Sequence, residues 1–161
     1  MTDIYNGAHF YRELRSVLKQ KKTVSVLILD IDHFKRINDG YGHPVGDAVI
    51  KGVVKIIKKT IRKSDLVARI GGEEFAILLT DTNEYIALVI AEKIRFAVEN
   101  ETANTALYCF PEAMTISVGV FTNVNSTYSP DECIHFADIA LYEEKNTGRN
   151  KVEFYREEMG G

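Results

Sequence analysis

With 161 residues, 45% of them hydrophobic, the chain has the material for one packed core, and a single domain over 1–161 accounts for it. Its formal charge of −3 excludes a protein built mainly to grip a nucleic-acid backbone, so polymeric nucleic acid is not an expected partner. Cys109 and Cys133 have neither metal nor redox spacing and read as core thiols of a reducing compartment; with no bilayer-length apolar run and no basic-then-apolar leader, the expectation is a soluble, cytoplasmic segment without membrane contact.

In chain order, Phe10, Leu14, Val17 and Leu18 recur at helical spacing and predict a short amphipathic helix over 7–20, ending in the polar Lys19-Gln20-Lys21-Lys22. Residues 23–29 are nearly all apolar and rich in β-branched side chains, as in a central strand covered on both faces, and they stop at Asp30-Ile31-Asp32. A short helix is expected over 33–39, halted by Gly40 and Gly42, and Pro44 opens a second one. There Val45, Ala48, Val49, Gly52, Val53, Ile56, Ile57 and Ile61 form one stripe, with Lys51, Lys55, Lys58 and Lys59 opposite. Residues 66–70 and 75–79 read as two strands. Gly71-Gly72 between them is a hairpin signal, which sets Glu73 and Glu74 at its tip.

Asp81-Thr82-Asn83-Glu84 has the form of a capping box and starts a helix carrying Ile86, Ile90, Ile94 and Ala97, followed by an irregular connection over 101–113. Alternation over 114–121 predicts a strand with one half-buried face. Ser129-Pro130-Asp131-Glu132 is a capping box with proline at the first helical position, and its helix runs through Phe136, Ala137, Ala140 and Leu141 to a stop at Gly148. A short strand near Val152-Glu153-Phe154 closes the chain. From the first strand the order is β-α-α-β-β-α-β-α-β, which contains the β-α-β-β-α-β of a ferredoxin-like fold. The expected class is α+β, a mostly antiparallel five-stranded sheet flanked by helices.

Asp30 and Asp32 at a buried strand end lie on one side of it, because strand side chains alternate. Hard divalent cations such as Mg²⁺ or Mn²⁺ take oxygen ligands, so Asp-x-Asp is a candidate metal site; N-capping of the next helix by Asp32 is the competing reading. If the hairpin packs beside this strand, Glu73 faces Asp30 across a gap of cation size. Lys35 begins a helix whose free N–H groups attract phosphate. Lys145 and Arg149 bracket a helix C-terminus, where they equally complement the helix dipole. Asn38 and Asp47 form a candidate pair for reading a base with a donor edge, although each also suits a cap or turn.

The series Asp30-Ile31-Asp32-x-Phe34-Lys35-x-Ile37-Asn38-Asp39-x-x-Gly42-His43-x-x-Gly46-Asp47, Arg62-x-x-Asp65 and Arg69-Ile70-Gly71-Gly72-Glu73-Glu74-Phe75 resembles the signatures of the GGDEF-domain diguanylate cyclases, in the GGEEF variant. Ser117-x-Gly119, Ala137-Asp138-x-Ala140-Leu141-Tyr142 and Lys145-x-x-Gly148-Arg149-Asn150 resemble it too, so the likeness runs through almost the whole chain in order. It departs at the start, where Gly7-Ala8 stand in place of two arginines, at Glu143-Glu144 before Lys145, and at Lys93 where many members have arginine.

The resemblance implies a palm like that of nucleotidyl cyclases and polymerases, and condensation of two GTP into cyclic di-GMP with release of pyrophosphate. It implies metal ligands at Asp30, the main-chain carbonyl of Ile31 and Glu73, for Mg²⁺ or Mn²⁺. Guanine recognition falls on Asn38 and Asp47. Phosphate contacts fall on Lys35, Lys145, Arg149 and the main chain of His33, Phe34 and Lys35, with His43 also in the substrate site and Glu74 beside the attacking hydroxyl. Arg62 and Asp65 match an inhibitory product site. A symmetric product of two nucleotides implies a homodimer of half-sites. Such a domain is expected to be the output module of a longer protein. The competing readings are a catalytically weak or inactive receptor for GTP or cyclic di-GMP, and a metal phosphodiesterase, for which no water-activating group is visible.

Overall fold

The computed structural model describes residues 4–104 and 110–159. Its elements are β1 (Tyr5–Asn6), α1 (Gly7–Leu18), β2 (Val24–Ile31), α2 (Phe34–Tyr41), α3 (His43–Thr60), β3 (Leu66–Arg69), β4 (Glu74–Leu79), α4 (Glu84–Ala103), β5 (Ile116–Asn123), a 3₁₀ turn (Val124–Ser126), α5 (Pro130–Asn146) and β6 (Val152–Phe154). The strands form one six-stranded sheet in the order β1-β3-β4-β2-β5-β6. The inner pairs are antiparallel, while β1 on β3 and β6 on β5 are parallel. The α+β class and the mostly antiparallel centre are as the pattern predicts. The two-residue edge strand β1 is additional, too short to show any period.

Side-chain alternation divides the core between two layers. Leu27, Leu29 and Ile31 of β2, Phe75, Ile77 and Leu79 of β4, and Ile116, Val118 and Val120 of β5 pack against α3 and α4. Val24, Val26 and Ile28, with Ala76, Leu78 and Phe121, pack against Phe10, Leu14 and Leu18 of α1 and Cys133, Ala137 and Leu141 of α5. Each fully buried Leu, Ile or Phe contributes about 1.5–3 kcal/mol of transfer free energy, so both layers are needed to hold β2, all of whose residues are buried. By the same alternation Asp30 and Glu74 turn toward the α5 face.

Local chemistry sets the helix starts. Asn6 accepts from the His9 N–H at 2.9 Å, and Asn83 accepts from the Ile86 N–H at 2.9 Å. Asn83 rather than Asp81 is thus the cap, and the helix starts two residues later than a capping box on Asp81 and Glu84 would place it. At α5 the predicted capping box closes both ways, Glu132 N–H to Ser129 Oγ at 3.2 Å and Ser129 N–H to Glu132 Oε1 at 3.0 Å. α2 runs past Gly40 and ends at Gly42, whose φ of 91° a side chain rarely adopts. α3 buries Ile50 and Val54 besides the predicted stripe, whereas Ala48 is exposed.

One expectation for the sheet is corrected. β5 is covered on both faces rather than one, because its alternate positions Ser117, Gly119 and Phe121 meet α5 instead of water. Cys133 is a core thiol as expected, and burial pushes it up to about 11, which leaves it unreactive at neutral pH. Cys109 lies outside the described residues, as do Met1 to Asp3.

Candidate functional site

The site forms where β2 ends beside the hairpin. β4 pairs antiparallel with β2 so that Asp30 lies across from Glu74, and the Ile31 N–H donates to the Glu73 carbonyl at 3.2 Å. The hairpin therefore does pack beside the Asp30 strand, but Glu74 rather than Glu73 is the register partner of Asp30. The Gly-Gly tip is fastened by Arg69, whose guanidinium donates to the carbonyls of Gly71 (3.2 Å) and Gly72 (3.0 and 2.6 Å).

Asp30 is only 6% exposed. One of its oxygens, Oδ2, accepts from Lys145 Nζ at 2.7 Å, while Oδ1 is buried with no hydrogen-bond partner. Burial pushes the Asp30 carboxyl above its ordinary range, partly offset by Lys145, with Glu73 and Asp32 adding repulsion. Glu74 is likewise pushed up by burial, then by the negative charges of Asp138, Asp30 and Glu73. Lys145 is raised by its bond to Asp30. Carboxylates thus crowd one ammonium, with a buried oxygen left bare, and such a donor set fits a hard cation. Among the described residues no three His, Cys, Asp or Glu side chains already surround one point as a finished metal cluster. A bound ion would draw on Asp30, the carboxylates of the hairpin and main-chain oxygen.

Asp32 does not cap α2, which corrects the capping expectation. His33 occupies the N-cap position, with φ of 58° and no side-chain cap bond. Asp32 instead accepts from Thr115 Oγ1 at 2.7 Å, Ser117 Oγ at 2.7 Å and the Asn150 N–H at 3.1 Å. These three acceptances fix the orientation of the carboxylate and tie the ends of β2, β5 and the turn after α5 together.

The remaining residues of the sequence pattern gather more loosely. Phe34 is buried under α2, while Lys35 is 92% exposed and 3.7 Å from Asp39. His33, His43 and Asp47 are exposed. Asn38 Oδ1 is buried without a partner, in a niche that exists only because residue 46 is glycine: a Cβ there would lie 1.8 Å from that oxygen. Arg149 lies close enough to Lys145 for their charges to interact.

The i, i+3 spacing of Arg62 and Asp65 is that of a surface ion pair, and the arginine is indeed exposed, but the aspartate is not. The Asp65 side chain is 0% exposed, and Arg62 grips it through Nε and Nη2 at 2.8 Å each, with Nη2 also donating to Thr80 O and Thr82 Oγ1. Beside them a cleft of about 440 Å³ is lined by Tyr5, Lys58, Arg62 and Leu66, among others.

Sequence reasoning assigned no role to Arg69 or Asp138. Arg69 stands just before the Ile70-Gly71-Gly72 turn, and Asp138 lies seven residues, two helical turns, before Lys145; both spacings are legible in retrospect.

A sequence model described as "Diguanylate cyclase, GGDEF domain" matches residues 1–151. The chain is 50% identical over 154 residues to the probable diguanylate cyclase DgcT of Escherichia coli (strain K12), covering 94% of this chain and 34% of that protein. It is 43% identical over 145 residues to diguanylate cyclase A of Treponema denticola, covering 89% and 38%. The chain thus spans about a third of the length of these relatives. Among solved structures, the GGDEF domain of DgcB from Caulobacter crescentus, a complex with c-di-GMP, superposes with a TM-score of 0.86 at 32% identity, covering 95% of this chain and 92% of that one.

Proposed function

The chain belongs to the GGDEF diguanylate cyclase family, and we propose that it condenses two GTP into cyclic di-GMP and two pyrophosphates at the face of the sheet that carries Asp30. Each 3′-hydroxyl attacks the α-phosphorus of the opposite nucleotide, forming one phosphodiester bond and expelling one pyrophosphate. Two such steps close the ring. One chain holds one GTP, so catalysis belongs to a homodimer and a monomer is nearly silent. We assign this domain as the cytoplasmic output module of a longer protein; no helix among the described residues is long and apolar enough to cross a membrane.

The observation that carries the reading is Asp30, buried, bound to Lys145 through one oxygen and bare on the other. Asp30, the Ile31 carbonyl and Glu73 would hold Mg²⁺ or Mn²⁺, which when bound neutralises phosphate charge and polarises the phosphoryl group. The chain's own groups do the rest. Lys145 and Arg149 bring positive charge to the triphosphate, joined by Lys35 and the N–H groups from His33 to Lys35, with His43 at the site's edge. Glu74, its carboxyl raised, stands ready to hold a proton beside the attacking hydroxyl. Incubation with GTP and Mg²⁺ followed by chromatography tests this: a cyclic dinucleotide with two pyrophosphates per product is expected. Binding of cyclic di-GMP without any turnover would make the chain a receptor instead.

Guanine selection is assigned to Asn38 and Asp47, because the orphan Asn38 Oδ1 needs a donor that guanine's edge supplies. Gly46→Ala forces the amide out of its niche, and the GTP-over-ATP preference is expected to fall by about 10–100-fold. Competition between the two nucleotides measures it; equal use of ATP and GTP by the unmodified domain would overturn the assignment.

Product feedback is assigned to Arg62 and Asp65. Arg62→Ala is expected to relieve inhibition by added cyclic di-GMP while initial rates stay near normal. It also uncovers the buried Asp65 carboxylate, so stability falls by about 1–2 kcal/mol, or roughly 3–6 °C in Tm. If progress curves of both proteins slow identically as product accumulates, the pair is only structural.

A further inference from the structure

The turn after α5 holds three consecutive residues with left-handed backbone: Gly148 at φ 125°, Arg149 at 65° and Asn150 at 51°. Glycine adopts this freely and asparagine tolerates it, but arginine does so only where its surroundings over-determine the conformation. The overdetermination comes from Asn150. Its N–H donates to Asp32 Oδ2 at 3.1 Å, which fastens the turn to the end of β2. Its side chain is clasped by α4: Nδ2 donates to Glu99 Oε2 at 2.7 Å, and Oδ1 accepts from Arg95 Nη1 at 3.1 Å. Arg95 is fixed in turn by Glu92 at 3.1 and 3.2 Å and by Glu99 at 3.4 Å. Asp32, the other anchor, is itself held by Thr115 and Ser117. The main-chain N–H, the side-chain nitrogen and the side-chain oxygen of Asn150 are thus all engaged, and the two anchors belong to different elements, the end of β2 and the helix α4.

We propose that Asn150 is a positioning residue for Arg149: clasped between Asp32 and the Arg95–Glu99 pair of α4, it holds the turn in the left-handed form that keeps the guanidinium beside Lys145 as a ready clamp for the triphosphate. The inference rests on the assignment of Arg149 to the substrate phosphates. It gives α4, which carries none of the substrate residues, a mechanical connection to the site. Without the clasp the turn relaxes toward ordinary backbone angles, Arg149 samples many positions, and ordering it again falls on each GTP that binds.

A double-mutant cycle on this chain tests it, with GTP KM and kcat measured for Arg149→Ala, Asn150→Gly and the pair together, and Tm for each. Asn150→Gly keeps the left-handed backbone and the N–H to Asp32 available and removes the side-chain clasp; the backbone freedom that glycine adds is controlled by Glu99→Ala, which leaves residue 150 unchanged. It is expected to raise KM about tenfold with kcat within about twofold, and to add nothing in the Arg149→Ala background. Glu99→Ala, remote from the substrate, is expected to move KM in the same direction, and Glu99→Gln, which keeps an acceptor for Asn150 Nδ2 but not the weaker one for Arg95, to restore most of it. Full multiplication of the Arg149 and Asn150 effects would sink the clasp while leaving the phosphate assignment intact. An unchanged KM in Arg149→Ala would sink the phosphate assignment, and the clasp with it. Should Asn150→Gly melt well below the unmodified chain, the cycle between Glu99→Ala and Arg149→Ala decides by the same criterion.

Discussion

Glu73→Gln is expected to lower cyclic dinucleotide formation by at least about 10²–10³-fold at saturating Mg²⁺, with the fold intact. The substitution keeps the shape of the side chain and removes its charge. A neutral amide is a poor ligand for a hard cation, and it cannot join Asp30 in meeting the charge of a bound ion. The fold does not depend on that charge: the contact that joins residue 73 to β2 is its main-chain carbonyl, which accepts from Ile31 N–H whatever the side chain. An unchanged Tm with lost turnover is therefore the expected signature. Substantial product from the variant at saturating Mg²⁺ would remove Glu73 from the metal site and shift the role to Glu74, the register partner of Asp30.

Gly119→Ala is expected to produce the largest loss of stability. Gly119 sits in the middle of β5, paired with Ile28 on one side and Glu153 on the other, so its backbone cannot retreat. A Cβ there would lie 2.2 Å from the carbonyl oxygen of Ala137 and 2.3 Å from the Leu141 nitrogen, both in the backbone of α5. No rotamer relieves a clash with backbone, so the helix itself must back off the sheet. The cost is about 3–5 kcal/mol, or roughly 10 °C in Tm. Displacement of α5 would also carry Lys145 and Asp138 away from Asp30, so activity is expected to fall even below the melting range. Gly40→Ala is the control, since nothing lies within 4 Å of its Cβ position on α2 and helix propensity favours alanine. Equal melting of Gly119→Ala and the unmodified chain would show that α5 does not close on β5 as described.

Local patterns were enough to establish most of the helices and strands, the two-residue β1 excepted. The stripe of α3, the apolar run of β2, the Ser129 capping box and the Gly-Gly hairpin are each set by a period or a cap within a few residues. The same reading brought the two acid-bearing stretches, 30–32 and 73–74, into one expected site. Which acid does what depended on packing. Asp30 and Asp32 look alike in sequence, yet one is left with a bare oxygen and the other accepts from Thr115, Ser117 and Asn150: β5 runs beside both, but the hydroxyls and the N–H that it and the turn after α5 supply are aimed at Asp32 alone. Arg62-x-x-Asp65 has the spacing of a surface pair, and only the fold shows that Asp65 is covered while Arg62 also reaches across to Thr80 O and Thr82 Oγ1. Alternation along 114–121 could not reveal that its second face is covered, since a small residue such as Gly119 reads as indifferent until a helix is laid on it. Spacing along the chain fixes local geometry; partners tens of residues apart are fixed by register and by how closely two backbones approach.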